Sequence, residues 1–201
     1  MNKVSTAEFW NQRYLDNNTK WDLGYPTPIL THYLENNKVS GKACVLGCGN
    51  GHDVMELSRY DIDVYAVDFA LEAIENLRKK LTDKKRVELL EEDIFNLPTL
   101  YSNYFNFVYE YTCYCAIDPN RREDYFDMVY KVLKVGGLLF GIFIPLDKEI
   151  YNEGGPPFGV SIKEVMTLTH NKFKVIVNTF SDYSIEPRAG REKLIILEKI
   201  Q

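Results

Sequence analysis

The 201-residue chain is poor in the residues that build metal sites and disulfide frameworks. Its four cysteines, at 44, 48, 113 and 115, form neither a paired framework nor a C-x-x-C knuckle, and they read as small buried hydrophobes. Three histidines, at 32, 52 and 170, are never paired at ligand spacing, so no metal site is expected. A basic stripe is missing too. The 24 Lys and Arg against 29 Asp and Glu leave a net charge of −5, which excludes the footprint of a phosphate backbone and with it a nucleic-acid partner. The short clusters Arg78-Lys79-Lys80 and Lys84-Lys85-Arg86 fall at a helix end and ahead of a strand, where a solvated face or the helix dipole accounts for them. No apolar run approaches the roughly 18 residues of a membrane span. The opening MNKVSTAEFW lacks the apolar block of a signal peptide, so a cytoplasmic chain with no membrane partner is expected.

What is present is a repeating alternation. At 45% hydrophobic residues, a chain of this length buries one core rather than two, which predicts a single domain over 1–201. Residues 43–47 are a short apolar run that breaks at Gly47-Cys48-Gly49-Asn50-Gly51, and 52–60 then carry helical spacing. A strand over 63–67 closes on Asp68 and is followed by the amphipathic helix 70–81. Strands are predicted again at 86–90 and 105–111, then a helix over 121–133 that Gly136-Gly137 is expected to stop, and a buried strand over 138–144. Strand and helix in turn predict parallel strands with right-handed crossovers, a doubly wound α/β sheet. Beyond the loop 152–157 and a helix over 161–169, two runs at 173–180 and 193–200 have no helix between them. They predict an antiparallel pair at the sheet edge.

Gly47, Gly49 and Gly51 directly after a strand let the backbone turn sharply and approach a ligand, with a helix N-terminus behind them. Asp68 ends the next strand, where a carboxylate can accept both ribose hydroxyls; turn and acid together point to an adenosine ligand. The spacing is G-x-G-x-G rather than the G-x-G-x-x-G of a pyrophosphate cradle, which favours a phosphate-free ligand with an amino-acid tail over a dinucleotide. Asp93-Ile94 ends the third strand with a carboxylate and a backbone N–H for an adenine edge; Asp93 as a helix N-cap is the competing reading.

Further segments carry a resemblance: Trp21-Asp22-x-Gly24-x-x-Thr27-Pro28, Gly47 to Val54, Glu92-Asp93-Ile94-Phe95, Glu110-Tyr111-x-x-Tyr114-Cys115-Ala116-Ile117-Asp118-Pro119, Gly154-Gly155-Pro156-Pro157-Phe158 and Pro187-Arg188-x-Gly190-x-Glu192-Lys193-Leu194. In this order, spanning about residues 9 to 199, they resemble the thiol and halide methyltransferases within the thiopurine S-methyltransferase superfamily. The resemblance implies a Rossmann-like, mostly parallel seven-stranded sheet with an antiparallel last strand, an N-terminal lid and helix in residues 1–40 and a core in 41–201. It also implies S-adenosyl-L-methionine as cofactor, S-adenosyl-L-homocysteine as product, and a small soft nucleophile as substrate. The cofactor contacts it carries over are the aromatic residues Trp10, Tyr14 and Trp21, then Gly47, Asp68, Asp93, Ile94 and Tyr111. Tyr14 stands where the family more usually has tryptophan, and the ring is kept.

An aromatic cluster suits a sulfonium because ring faces stabilise a cation without offering a competing nucleophile; packing of an N-terminal helix is the other use of such a stripe. Methyl transfer to a thiolate, bisulfide, thiocyanate or iodide is an in-line displacement needing no strong base, only positioning and removal of water. Trp10, Pro28, Tyr114, Phe158 and Arg188 are the residues placed near the nucleophile, with Arg188 holding an anion or closing the lid by pairing with a carboxylate; a surface salt bridge is the competing reading. Three alternatives stay open: O- or N-methyl transfer with Glu110, Asp118 or Tyr111 as base, a nicotinamide oxidoreductase, and a non-catalytic S-adenosylmethionine-binding protein. Ile144 where plant-like members commonly have tyrosine, and a longer loop 148–153 with Tyr151, leave the nucleophile's identity open.

Overall fold

The computed structural model describes residues 3–81, 86–146 and 155–201. The basic pair Lys84-Lys85, the loop 148–153 with Tyr151, and Gly154 lie outside them.

Helix α1 (Ala7–Leu15) starts where Thr6 accepts the Phe9 N–H, and α2 (Pro28–Asn36) starts on a proline, whose missing N–H is no loss at a helix N-terminus. Then follow β1 (Gly41–Leu46), α3 (His52–Leu57), β2 (Ile62–Asp68), α4 (Leu71–Lys80), β3 (Val87–Glu91), the short α5 (Leu97–Leu100) and β4 (Phe105–Tyr111). Helix α6 (Arg122–Val132) runs into β5 (Leu133–Phe143); α7 (Ile162–Thr169), capped by Ser161, precedes β6 (Phe173–Thr179) and β7 (Lys193–Lys199). Helix α4 carries Glu72 in its first turn and Arg78, Lys79 and Lys80 in its last, the arrangement that complements the helix dipole. No helix among the described residues is long and apolar enough to cross a membrane.

The seven strands lie in the order β3-β2-β1-β4-β5-β7-β6. β1 to β5 are parallel; β7 runs antiparallel between β5 and β6, as the two final apolar runs predict. Alternate strand residues feed two cores. Ala43, Val45, Phe107 and Tyr109 pack with α2, α3 and α4 on one face. Cys44, Leu46, Tyr65 and Val108 pack with α6 and α7 on the other. The chain reverses its direction of winding between β1 and β4, and in open α/β sheets that switch point opens a crevice at the carboxyl ends of the strands.

One expectation is corrected. Gly136-Gly137 does not stop the helix: α6 ends at Val132, Leu133 is already extended, and the glycines sit inside β5. Pairing with β4 jumps from Phe105↔Leu133 to Phe107↔Leu138, so the pair lies in a bulge, with Gly136 at φ +75°. A Cβ on Gly137 would stand 2.9 Å from the Lys134 carbonyl oxygen, which is why the bulge takes glycine there.

Candidate active site

At the switch point Gly47, Gly49 and Gly51 all have positive φ, at +58°, +52° and +76°. The last also packs where no side chain fits, since a Cβ on Gly51 would lie 2.3 Å from Leu77 Cδ1 of α4. Asp68 anchors this turn: its Oδ2 accepts the Gly49 N–H at 3.0 Å and its Oδ1 the Ala70 N–H at 2.9 Å. Burial outweighs these donors and raises the Asp68 pKa to about 6.

Above the turn lies a cavity of ≈ 570 Å³. Its floor includes Gly47, Asp68, Asp93, Ile94, Thr112 and Cys113; Trp10, Tyr14 and Trp21 face them from the N-terminal segment, and Arg188 and Arg191 from the loop before β7. The Trp21 ring meets Trp10 edge-on at 5.5 Å and Tyr14 at 5.8 Å between centroids. Trp10 Nε1–H donates to the Val4 carbonyl at 2.8 Å, and Asn11 Oδ1 accepts the Glu72 N–H at 2.8 Å, which seats α1 on the start of α4. Burial, reinforced by the Asp68 charge, pushes the Tyr14 phenol well up, so it stays a neutral hydroxyl. Asp93 is the N-cap that the competing reading expects, accepting the Phe95 N–H at 3.0 Å at the start of the turn Ile94–Asn96, and it also lines the cavity.

A smaller cavity of ≈ 60 Å³ lies against the glycine turn; Trp21, Gly47 and Thr112 line both spaces and so mark their junction. Two carboxylates tie the segment after α1 to the turn here. Asp22 accepts from Gly24 N–H at 2.7 Å, from Asn50 Nδ2, and pairs with His52 Nε2 at 3.1 Å. Asp53 accepts from Thr27 N–H (2.7 Å), Thr27 Oγ1 (2.9 Å) and Tyr109 Oη (2.9 Å), and burial raises its pKa despite those donors.

Arg188 closes the opposite side. Its Nη2 donates to the Trp21 carbonyl at 2.7 Å and its Nη1 to Tyr111 Oη, and Tyr111 in turn donates to the buried Glu192 at 3.0 Å. This fork joins the loop before β7 to the N-terminal segment across 167 residues of sequence.

Of the residues expected at the site, Trp10, Tyr14, Trp21, Gly47, Asp68, Asp93, Ile94 and Arg188 line the larger cavity, and Gly49, Gly51 and Tyr111 the smaller. Tyr114 does not reach the wall: it is 1% exposed and packed in the core against Tyr125, Phe126 and Phe143, just after the turn at Thr112. Tyr111 spends its hydroxyl on Arg188 and Glu192, Pro28 begins α2, and Phe158 donates its N–H to the Cys115 carbonyl; none of the three lines the larger cavity. Ile144 does.

Sequence reading missed Asp22, Thr27, Thr112, Glu192 and Arg121, whose guanidinium stacks 3.5 Å from the Phe95 ring centre at the cavity edge. Asp22, Thr27 and Glu192 were hinted at only by their place inside the motifs, Thr112 fell at an unspecified position of one, and Arg121 lay outside them all. Cys113 and Cys115 turn out to line the cavity, but burial pushes Cys113 well up and Cys115 up to about 12, so both remain protonated and poor nucleophiles. Glu110, the carboxylate a proton-abstracting mechanism would use, is 1% exposed and absent from both cavity walls.

Residues 5–199 match the thiopurine S-methyltransferase family. A probable thiol methyltransferase 2 of Arabidopsis thaliana is 34% identical over 190 residues, spanning 92% of this chain and 82% of that protein. Thiocyanate methyltransferase 1 of Brassica oleracea is 29% identical, spanning 95% and 84%. Among solved structures, the Burkholderia thailandensis 1,6-didemethyltoxoflavin-N1-methyltransferase with S-adenosylhomocysteine bound superposes with a TM-score of 0.74 at 15% identity, covering 97% of this chain and 87% of that one.

Proposed function

The chain belongs to the thiopurine S-methyltransferase family and is an S-adenosylmethionine-dependent methyltransferase of small soft nucleophiles, and we propose the following division of labour among its residues. The observation that carries the reading is the larger cavity, in which Trp10, Tyr14 and Trp21 stand over the glycine turn held by Asp68. These residues fit the cofactor. Positive-φ glycines leave the backbone open to its amino-acid tail, Asp68 can accept from ribose hydroxyls, and Asp93 with Ile94 can read the adenine edge. When bound, the cofactor supplies a methyl group on a sulfonium, an electrophile strong enough for an unactivated anion.

The chain's part is positioning and exclusion of water. Ring faces of Trp10 and Trp21 stabilise a cation without attacking it, and the neutral Tyr14 hydroxyl and protonated Cys113 and Cys115 offer no competing anion. Arg188, at the cavity wall, attracts an anionic nucleophile and holds the N-terminal segment closed, stripping water from the reacting pair. The nucleophile is a small molecule, of the thiol or thiocyanate type on which the Arabidopsis and Brassica relatives' names are based.

The test is a headspace panel. With S-adenosylmethionine and, separately, thiocyanate, bisulfide, iodide, an aromatic thiol and a thiopurine, at least one methylated product is expected to accumulate with time, together with S-adenosylhomocysteine. Turnover of a hydroxyl or amine substrate alone, with none of these anions methylated, would overturn the soft-nucleophile reading.

A further inference from the structure

Thr112, two residues beyond Glu110 at the end of β4, has φ +64°. A β-branched residue in the left-handed region is a true outlier, held there only by its surroundings, and such residues gather at functional sites. Thr112 is also one of the residues lining both cavities, at the junction where the glycine turn and the Trp21 ring meet.

What holds the turn is Glu110. Its Oε1 accepts the Tyr114 N–H at 2.9 Å, its Oε2 accepts Tyr125 Oη at 2.7 Å, and the Cys113 amide also stabilises the carboxylate. The carboxylate thus bridges the far side of the turn, residues 113 and 114, to α6. The turn is tied further by the Cys115 thiol, which contacts the Thr112 carbonyl at 3.3 Å, and by the Ala116 N–H, which donates to the Cys113 carbonyl at 2.8 Å. A buried carboxylate is costly, and among the described residues Glu110 forms no ion pair to offset it. Its return is a turn that would otherwise relax to negative φ and carry the Thr112 and Cys113 walls out of place.

We propose that Glu110 is a positioning residue for methyl transfer, its buried carboxylate clamping the strained Thr112 turn that forms the junction of the two cavities. The inference rests on the function proposed above. Glu110 touches neither cofactor nor nucleophile; it acts through Thr112.

The test is a double-substitution cycle read in kcat, KM and S-adenosylhomocysteine affinity, with melting temperature as a control. Glu110→Gln, of nearly equal shape, is expected to lower kcat at least tenfold. In the Thr112→Gly background, where positive φ carries no strain and no clamp is needed, the same change is expected to cost less than threefold. If Glu110→Gln fails to fold, Tyr125→Phe removes one clamp hydrogen bond and is expected to show the same rescue from a smaller initial loss. Equal losses in the unsubstituted and Thr112→Gly backgrounds, or a lowered melting temperature with kcat unchanged, overturn the clamp. Absence of transfer by the unsubstituted chain overturns the function itself, and this inference with it.

Discussion

Asp68 carries its charge where water is scarce, and its titration follows from that. Its folded pKa of about 6 stands above the ordinary value of about 3.9, so the folded state binds the extra proton between the two. Any stability it contributes is therefore present below about pH 4 and lost as pH rises through 6. Ligand binding runs the opposite way, because ribose hydroxyls donate to the ionised carboxylate. S-adenosylhomocysteine affinity, measured by calorimetry, is expected to fall by about tenfold per pH unit below pH 6. Asp68→Asn is expected to bind weakly and to flatten that slope; an unchanged slope in the variant would assign the titration to another group.

Trp10, Tyr14 and Trp21 show how far residue-level reading goes. Spacing of four along α1 places Trp10 and Tyr14 on one face, but spacing alone cannot say whether that face meets the core or a ligand. In the fold none of α1 is fully buried, and the two rings meet Trp21 at the wall of a cavity.

At the scale of elements, the loop between β6 and β7 and the segment between α1 and α2 work as a pair because Arg188 bonds both Trp21 and Tyr111. A guanidinium can span two acceptors in fixed geometry, whereas an ammonium is a point charge. Arg188→Met is expected to raise KM for the nucleophile by roughly tenfold or more, and Arg188→Lys to restore little of it. A lysine variant with wild-type KM would show that charge, and not the fork, is what matters.

The element boundaries are readable where one period dominates, as in α4, and misleading where two signals coincide. Gly136-Gly137 after an amphipathic run has the chemistry of a helix stop, yet Leu133 already pairs with Phe105, so the strand claims the glycines for its bulge. Tyr114 misleads for a related reason. Its motif marks the turn as part of the site, while the turn's left-handed step at Thr112 precedes a ring that points into the core.

For the molecule as a whole, a ligand that binds only the folded chain must raise its melting temperature. At 100 times its dissociation constant, S-adenosylhomocysteine stabilises by about 2.7 kcal/mol. For a chain of this size that corresponds to a shift of about 5–10 °C in a thermal melt. NAD is expected to give no shift, and stabilisation by NAD alone would contradict the cofactor assignment.

The order of strands and helices, the glycine turn and Asp68 were determined by the sequence alone. Each depends on local physics: side-chain period, the φ that only glycine adopts freely, and the short reach from one strand end to the next. Which motif residues share a cavity was decided by the tertiary structure. Arg188 meets Trp21 and Tyr111 only because β7 inserts between β5 and β6 and brings its preceding loop back over the switch point. Burial then raised the pKa of Asp68 and Glu110 to about 6 and about 7, since desolvation is set by everything the fold packs around a carboxylate and here outweighs the nearby amides that donate to it.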